Sequence, residues 1–397
     1  DSVKLNEGNF RFNKIYCWWV EIYVFEKVKW LKQRGISCMV VSSGGNNLNM
    51  LDGVVDHVTI HNLDKNPILL SRSECMLVLN DLVRSIDVFG ATHIECFELN
   101  PAKYVFAVKE RLSLGIGMNM MVLSELGFKN DIALQIVSKF FERSNSLFTL
   151  NEGMSVHINK DSLIPLKFQY LNIPIVTGRR STALTQHGIP YILSVSRLSY
   201  DKEYVLELVD AFSRVGNSIA NTHLVIIGDG PNRALLQEKI EELDDSARKR
   251  ITLLGSLSSE ITENYIKDCS LFVGMGTSLL LAAKYNKLCL VTSPVEGWRR
   301  GTIGLYSDKM RGGFGQLFPG VKLEAFDDYL MRIFCHEELF EPSSLNVLRN
   351  FHDSDSIYIQ WLELYENASL RGKYYYVYSM LFTLYISLHK FYRFIRR

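Results

Sequence analysis

The stretch SLFVGMGTSLLLAAKYNKLCLVTS (Ser270–Ser293) contains a strand, a helix and a second strand in its pattern. Its first apolar run, SLFVGMG, ends in a glycine turn, and TSLLLAAKYN is typical of a largely buried helix. The last run, LCLVTS, predicts another strand. Two strands joined by a helix lie parallel in one sheet, so this stretch predicts an α/β fold.

The turn inside this stretch has features of an anion site. It consists of Gly274, Met275, Gly276 and Thr277. The two glycines leave space beside the backbone, and we expect Thr277 or Ser278 to cap the helix while N–H groups of its first turn face an anion. An ordinary βα turn with a capped, buried helix is the alternative that this pattern leaves open.

The same alternation of strands and helices runs along the whole chain. In the second half, strands are predicted at 191–198, 223–230 and 251–255, before the stretch quoted above. In the first half, five apolar runs alternate with helical patterns: 12–20, 36–45, 54–63, 92–99 and 117–126. We therefore predict two doubly wound, Rossmann-like domains with parallel sheets that face a cleft.

The periodicity stops between Thr177 and Pro190, where Gly, Ser, Thr and Pro are concentrated. We place the linker there. The prediction is an N-terminal domain at 1–178 and a C-terminal domain at 179–350.

Composition excludes some classes of function. A length of 397 residues suits two domains, and a formal net charge of +1 gives no general attraction to nucleic acid. The seven cysteines are scattered and form no C-x-x-C pair, which favours reduced thiols in a cytosolic protein. The chain begins at Asp1 without a signal-like apolar run, and we expect the natural start to lie upstream.

Two further turns follow predicted strands of the second domain. The loop SRLSYDK places Arg197 and Lys202 five residues apart, where both side chains are suited to a diphosphate. A solvated surface pair near Asp201 is the alternative. The turn IIGDGP (226–231) has glycines that allow a close approach of backbone to a ligand.

The order of these elements resembles the nucleotide-binding domain of GT-B glycosyltransferases, specifically the retaining family 4, or group 1, class. The resemblance extends from about Tyr191 to Asp308 and is looser in the first half. It implies that Arg197 and Lys202 bind the donor's phosphates. It also implies that the turn 274–277 faces the diphosphate and sugar, and that Leu254 and Gly255 lie beside the base.

The chain departs from that family in two places. The two glutamates of the family's E-x7-E element would align with Val273 and Leu281. The resemblance implies that the second glutamate binds the donor's ribose. Leucine has no hydrogen-bonding group, so an unpaired ribose hydroxyl would cost about 1–3 kcal/mol. In the first domain, Trp18 and Trp19 occupy the place of a glycine-rich turn near the diphosphate, unless they continue a buried strand.

The acceptor side of the predicted site is less defined. Glu125 is the candidate for positioning an acceptor hydroxyl, although an exposed glutamate without a role is the alternative. His93 has the pattern of a core histidine. No metal and no other cofactor are expected, since two cations and a helix N-terminus neutralise a diphosphate without Mg²⁺.

The C-terminal end carries two further predictions. Residues 351–370 resemble the helix of this family that crosses back to the first domain. Residues 371–397 form an aromatic and basic tail, which favours a helix in the headgroup region of an anionic membrane. Packing on the first domain or on another subunit is the alternative.

These observations predict a retaining glycosyltransferase that moves a sugar from a nucleoside diphosphate donor to a glycan or lipid-linked acceptor in surface polysaccharide biosynthesis. We expect it in the cytoplasm, peripheral to the inner face of the membrane. The alternative is a catalytically silent GT-B protein that partners an active transferase, forms an oligomer or binds glycan. No feature supports an epimerase or a phosphorylase.

Overall fold

A computed structural model describes residues 11–14, 20–44, 51–108, 115–120, 131–160, 162–176, 189–219, 221–293, 301–310, 313–315, 321–335, 342–367 and 375–395. The contacts divide the chain into two compact units. Unit 1 comprises Asp1–Ile173 with Asp355–Arg397, and unit 2 comprises Pro174–Ser354. The predicted boundary at 178/179 falls in the stretch 177–188, which is outside the described residues.

Unit 1 contains a parallel sheet in the order β3-β2-β1-β4-β5-β6-β7. Its strands are β1 Arg11–Lys14, β2 Ser37–Ser42, β3 Asp56–Thr59, β4 His93–Cys96, β5 Gly115–Met120, β6 Leu147–Thr149 and β7 Gln169–Tyr170. The helices between them are α1 Val20–Gln33, α2 Arg72–Phe89, α3 Leu99–Val108, α4 Ile132–Arg143 and α5 Glu152–Lys160. The order reverses direction between β1 and β4, which makes the sheet doubly wound.

Unit 2 repeats this arrangement with the order β10-β9-β8-β11-β12-β13. Its strands are β8 Tyr191–Val195, β9 His223–Ile227, β10 Ile251–Gly255, β11 Leu271–Gly274, β12 Leu288–Thr292 and β13 Thr302–Leu305. Its helices are α6 Tyr204–Val215, α7 Arg233–Glu241, α8 Asp245–Arg248, α9 Ser259–Asp268, α10 Thr277–Lys284, α11 Phe326–Phe334 and α12 Ser344–His352. The edge strand β13 is antiparallel to β12, and the other pairs are parallel.

The predicted α/β class is confirmed, and most element boundaries lie close to the predicted ones. The run 12–20 was predicted as one strand, but the structure has β1 only to Lys14 and a helix from Val20, with residues 15–19 outside the described part. The strand predicted at 117–126 is described over Gly115–Met120. The pattern did not identify several elements, namely β6, β7, β13, α5, α8, α11 and α12.

The C-terminal residues of unit 1 form two helices, α13 (Ser354–Asn367) and α14 (Tyr375–Ile395). α13 is fixed by Trp361, which is fully buried and lies 3.5 Å from the Lys27 ammonium, measured to the ring centroid. Lys27 forms a buried ion pair with Glu95 at 2.7 Å. Trp30 donates from Nε1 to Asp355 Oδ1 at 2.5 Å. The end of the chain is thereby held to α1 and β4.

α14 packs on α3 and α4 with one face. Phe106 contacts Tyr375 and Phe382, each with ring centroids 5.4 Å apart. The opposite face is apolar and exposed, and it includes Tyr376, Val377, Met380, Leu381, Leu384 and Leu388. None of the helices in the described ranges has the length and apolar content needed to span a bilayer. The tail packs on the first unit, one of the alternatives above, and leaves an apolar face outward.

We expect Trp361→Ala to lower the free energy of unfolding of unit 1 by about 3–5 kcal/mol, because it removes a fully buried indole and exposes the Lys27–Glu95 pair. Urea unfolding followed by circular dichroism measures this. Ile359→Ala on the same helix is the matched control, since Ile359 is exposed. Equal effects of the two substitutions would contradict the anchoring role of Trp361.

Candidate functional site

The candidate site begins where β8 and β11 end. These strands are neighbours, with Leu271 opposite Ile192 and Phe272 opposite Leu193. Their crossover connections leave in opposite directions, because β8 leads toward β9 and β11 leads toward β12. Ligands of doubly wound sheets bind at such a switch point, beyond the carboxyl ends of the strands. Arg197 and Lys202 follow β8, and the turn 274–277 follows β11.

Backbone hydrogen bonds join the loop after β8 to the loop after β9. Leu198 donates to the Asp229 carbonyl at 2.9 Å, and Asn232 donates to the Leu198 carbonyl at 2.9 Å. A Cβ on Gly228 would lie 1.8 Å from the Ser196 carbonyl oxygen. The IIGDGP glycines were expected to let a ligand approach the backbone. They instead allow the neighbouring loop to approach, and this fixes the strand-end edge.

Asp201 lies between the two cations of the β8 loop. Its Oδ2 is 3.4 Å from Lys202 Nζ and 3.8 Å from Arg197 Nη2. Burial acts to raise the pKa of Asp201, but a hydrogen bond from Ser199 and the charges of Lys202 and Arg197 outweigh it and hold that pKa below its ordinary value. The two cations form one cluster with a carboxylate. The solvated pair considered from the sequence does not describe Lys202, whose side chain is only 20% exposed.

Lys202 reaches from this cluster to the β11 turn. Its Nζ donates to Met275 Sδ at 2.9 Å. Burial lowers the pKa of Lys202 below its ordinary value, and the nearby Asp201 opposes that effect. Arg197 is 54% exposed and donates from Nε to Ser199 Oγ at 3.2 Å. The structure therefore brings a buried and an exposed cation to one edge of the sheet.

The β11 turn leads directly into α10. Gly276 is the N-cap residue with φ 71°, a left-handed conformation that favours glycine, and no side chain caps the helix. The expectation that Thr277 or Ser278 caps α10 is wrong, because Thr277 is the first helical residue. Ser278 Oγ donates back to Val195 O at 3.0 Å and Met275 O at 3.1 Å. The first turn of α10 thus lacks a capping side chain, as suits an anion.

The backbone N–H of Gly276 donates to the Phe314 carbonyl at 2.7 Å. A Cβ on Gly315 would lie 2.7 Å from Met275 Cβ, so the segment 313–315 packs closely on the turn. Sequence reasoning did not find this segment, because no short motif marks it. It fixes the conformation of the turn that precedes α10.

Residues 180–301 match the family Glycosyl transferases group 1. A glycosyltransferase from Rickettsia africae ESF-5 has a similar structure, with a TM-score of 0.69 at 14% identity over 92% of this chain and 100% of that chain. The segment 180–301 is thus similar to group 1 glycosyltransferases, and the chain has the GT-B fold.

Two further GT-B structures show the same likeness. The lipopolysaccharide outer core galactosyltransferase WaaB, in its apo form, has a TM-score of 0.62 at 14% identity, covering 91% of this chain and 99% of that chain. HepE of Anabaena, in complex with UDP and glucose, has a TM-score of 0.64 at 13% identity, covering 89% and 99%. No curated protein matches the sequence significantly. These structures and this chain have the same fold.

The remaining site residues of this GT-B protein have defined places. Val273 is fully buried in the core of unit 2, and Leu281 is half-buried on α10. Leu254 and Gly255 end β10, two strands from β8. Neither Val273 nor Leu281 has a side chain that can form a hydrogen bond. The departures from the E-x7-E element are therefore packing positions in this chain.

On the acceptor side, the structure places only part of what the sequence indicated. Glu125, Trp18 and Trp19 lie outside the described residues. His93 lies at the amino end of β4, away from the ligand edge of that sheet, and burial lowers its pKa. No group of three or more His, Cys, Asp or Glu side chains within the described ranges is arranged to hold a metal ion.

We expect Asp201→Asn to increase the affinity for inorganic pyrophosphate about threefold to tenfold, because it removes a carboxylate that competes for Lys202 and Arg197. Isothermal titration calorimetry at low and high ionic strength measures this, and the gain should shrink with salt. Asp245→Asn is the matched control, since Asp245 pairs with Arg248 on α8. Unchanged or weaker binding would mean that the cluster does not receive the anion.

Proposed function

We propose that this protein is a retaining glycosyltransferase. It transfers a hexose or related sugar from a nucleoside diphosphate donor to a glycan or lipid-linked acceptor in surface polysaccharide biosynthesis. The observation that carries this proposal is the convergence of Arg197, Lys202 and the uncapped start of α10 at the switch point of unit 2. These groups suit a diphosphate leaving group at the place where sheets of this kind bind ligands.

The proposed chemistry depends on stabilising the charge that develops on the leaving diphosphate. Arg197 offers a planar guanidinium for hydrogen bonds to two oxygens, and Lys202 offers a point charge. The N–H groups of α10 and its dipole add to this. Preorganised donors of this type lower the barrier because they need not reorganise during bond cleavage. The proposal therefore requires no metal and no other cofactor.

Structural neighbours support a nucleotide donor. HepE of Anabaena is seen with UDP and glucose, and a TarM G117R mutant from S. aureus is seen with UDP, fondaparinux and α-GlcNAc-glycerol. The likeness to TarM has a TM-score of 0.51 at 14% identity over 74% of this chain and 59% of that chain. UDP is accordingly the first nucleotide to test.

A second candidate function is a catalytically silent GT-B protein that partners an active transferase or binds glycan. Leu281 favours it, because this half-buried leucine occupies the helix position at which the family resemblance implies a ribose ligand. The two cations of the β8 loop favour the enzyme. Nucleotide binding distinguishes the two candidates.

We expect one of UDP, GDP, ADP and CMP to raise the melting temperature of the protein, and the shift to persist in EDTA. A ligand at about 100 times its Kd stabilises the native state by about 2.7 kcal/mol. Arg197→Ala should weaken binding about tenfold to a hundredfold through lost charge-assisted hydrogen bonds.

Arg248→Ala is the control for that experiment, because it removes an exposed arginine of α8 in the same unit. It should leave the shift intact. No shift with any nucleotide at millimolar concentration would contradict the enzyme proposal and favour the silent partner.

We further propose that α14 holds the protein at the inner face of the membrane, near a lipid-linked acceptor. Its outward face is apolar from Tyr376 to Leu388, and Lys390, Arg393, Arg396 and Arg397 follow in the sequence. Apolar residues beside basic ones suit a helix lying in the headgroup region of anionic lipid. A second copy of the chain is the other occupant that the test must exclude.

Sedimentation with phosphatidylglycerol-containing vesicles tests this placement. We expect Leu384→Glu to weaken vesicle binding about tenfold, because the leucine side chain loses its contact with lipid. Leu235→Glu, an exposed leucine of α7 in unit 2, is the matched control. Binding that is equal for all three proteins, or a dimer that Leu384→Glu dissociates, would contradict the membrane proposal.

A further inference from the structure

Arg233 is an arginine at the ligand edge of unit 2 to which no role has been assigned. It is the first residue of α7 and follows the loop after β9. Its guanidinium lies directly on Gly255 at the end of β10, since a Cβ added there would be 2.8 Å from Arg233 Nη1. Any side chain at position 255 would displace the guanidinium. The absence of a side chain at Gly255 therefore creates the place that Arg233 occupies.

Asp229 holds this guanidinium from the loop. Its Oδ2 lies 3.6 Å from Arg233 Nη1, and its Oδ1 accepts a hydrogen bond from the Gly230 N–H at 2.8 Å. The arginine side chain is 39% exposed, so part of the guanidinium remains accessible. This ion pair contributes little to stability because both partners face solvent.

The position of Arg233 fits one part of a nucleotide. β10 lies two strands from β8, so Gly255 is about 10 Å from the end of β8 across the sheet. A nucleoside diphosphate whose phosphates lie at Arg197 and Lys202 has its ribose between them and its base. If the base is directed along the edge toward β10, it reaches the guanidinium of Arg233.

We propose that Arg233 contacts the nucleobase of the donor. This inference depends on the proposed function, because it requires a nucleotide donor at the switch point. An arginine guanidinium is planar and stacks on the face of a base, in addition to donating hydrogen bonds to base oxygens. Leu281 offers the ribose no hydrogen bond, so the base side supplies a larger share of nucleoside recognition.

Comparing two ligands separates this role from phosphate binding. The probes are inorganic pyrophosphate and the nucleoside diphosphate that gives the largest thermal shift, each titrated by calorimetry. Arg233→Ala should weaken binding of the nucleoside diphosphate about tenfold and leave pyrophosphate affinity within about twofold. Arg197→Ala should weaken both ligands.

Arg233→Lys separates stacking from charge. It keeps the positive charge but loses the planar group, so it should bind the nucleoside diphosphate nearly as weakly as Arg233→Ala. Arg248→Ala is again the matched control and should bind both ligands as the wild type does. Melting temperatures without ligand should agree among the variants, because the Asp229–Arg233 pair is exposed.

Three outcomes would overturn the inference. Equal weakening of both ligands by Arg233→Ala would make Arg233 a phosphate ligand, and full recovery in Arg233→Lys would show that only its charge matters. No weakening at all would show that it does not contact the donor. A wild-type protein that binds pyrophosphate but no nucleoside diphosphate would instead contradict the proposed function itself.

Discussion

The pairing of β8 with β11 is the constraint on which the site depends. β8 is the first strand of unit 2 in the sequence. It nevertheless lies in the middle of the sheet, with β9 on one side and β11 on the other. The connections from β8 and β11 run in opposite directions along the sheet, while both strands end at the same edge. Cations from one loop and a helix start from the other consequently meet at a single edge. Neither loop alone would make an anion site.

Within that edge, Asp201 offsets part of the positive charge of Lys202 and Arg197. Lys202 is mostly buried, and a buried ammonium without a counter-charge would lose its proton or destabilise the loop. Asp201 supplies the counter-charge, and Met275 Sδ accepts from the same ammonium. A bound phosphate would supply the counter-charge of Lys202 instead. The Asp201 carboxylate therefore stabilises the charge of Lys202 and would compete with an anionic ligand for it.

Sequence reasoning identified β1 to β5 and β8 to β12, because each lies in a short apolar run next to a helical pattern, but it did not identify the short strands β6 and β7. It did not identify β13, because that strand is antiparallel to β12 and follows residues with no clear periodicity. It placed Arg197, Lys202 and the 274–277 turn, since those residue types follow strands directly. It missed Arg233 because the relevant contact is with Gly255, 22 positions later in sequence. The glycines at 228 and 230 also contact a loop distant in sequence, which the motif alone did not indicate.

The combination of retained cations and a lost ribose ligand bears on the choice between enzyme and silent partner. At the ribose position that the family resemblance implies, Leu281 would cost about 1–3 kcal/mol of ground-state binding, which would weaken donor binding about tenfold to a hundredfold. In the proposed enzyme, Arg197, Lys202 and the start of α10 would still stabilise charge on the leaving diphosphate, and groups of this kind act on the transition state. A weak donor site with intact charge stabilisation raises KM more than it lowers kcat. The Asp201–Lys202 pair, whose carboxylate is half-exposed, contributes little to stability by itself. The β8 loop is thus the part of the structure that a purely structural role explains least.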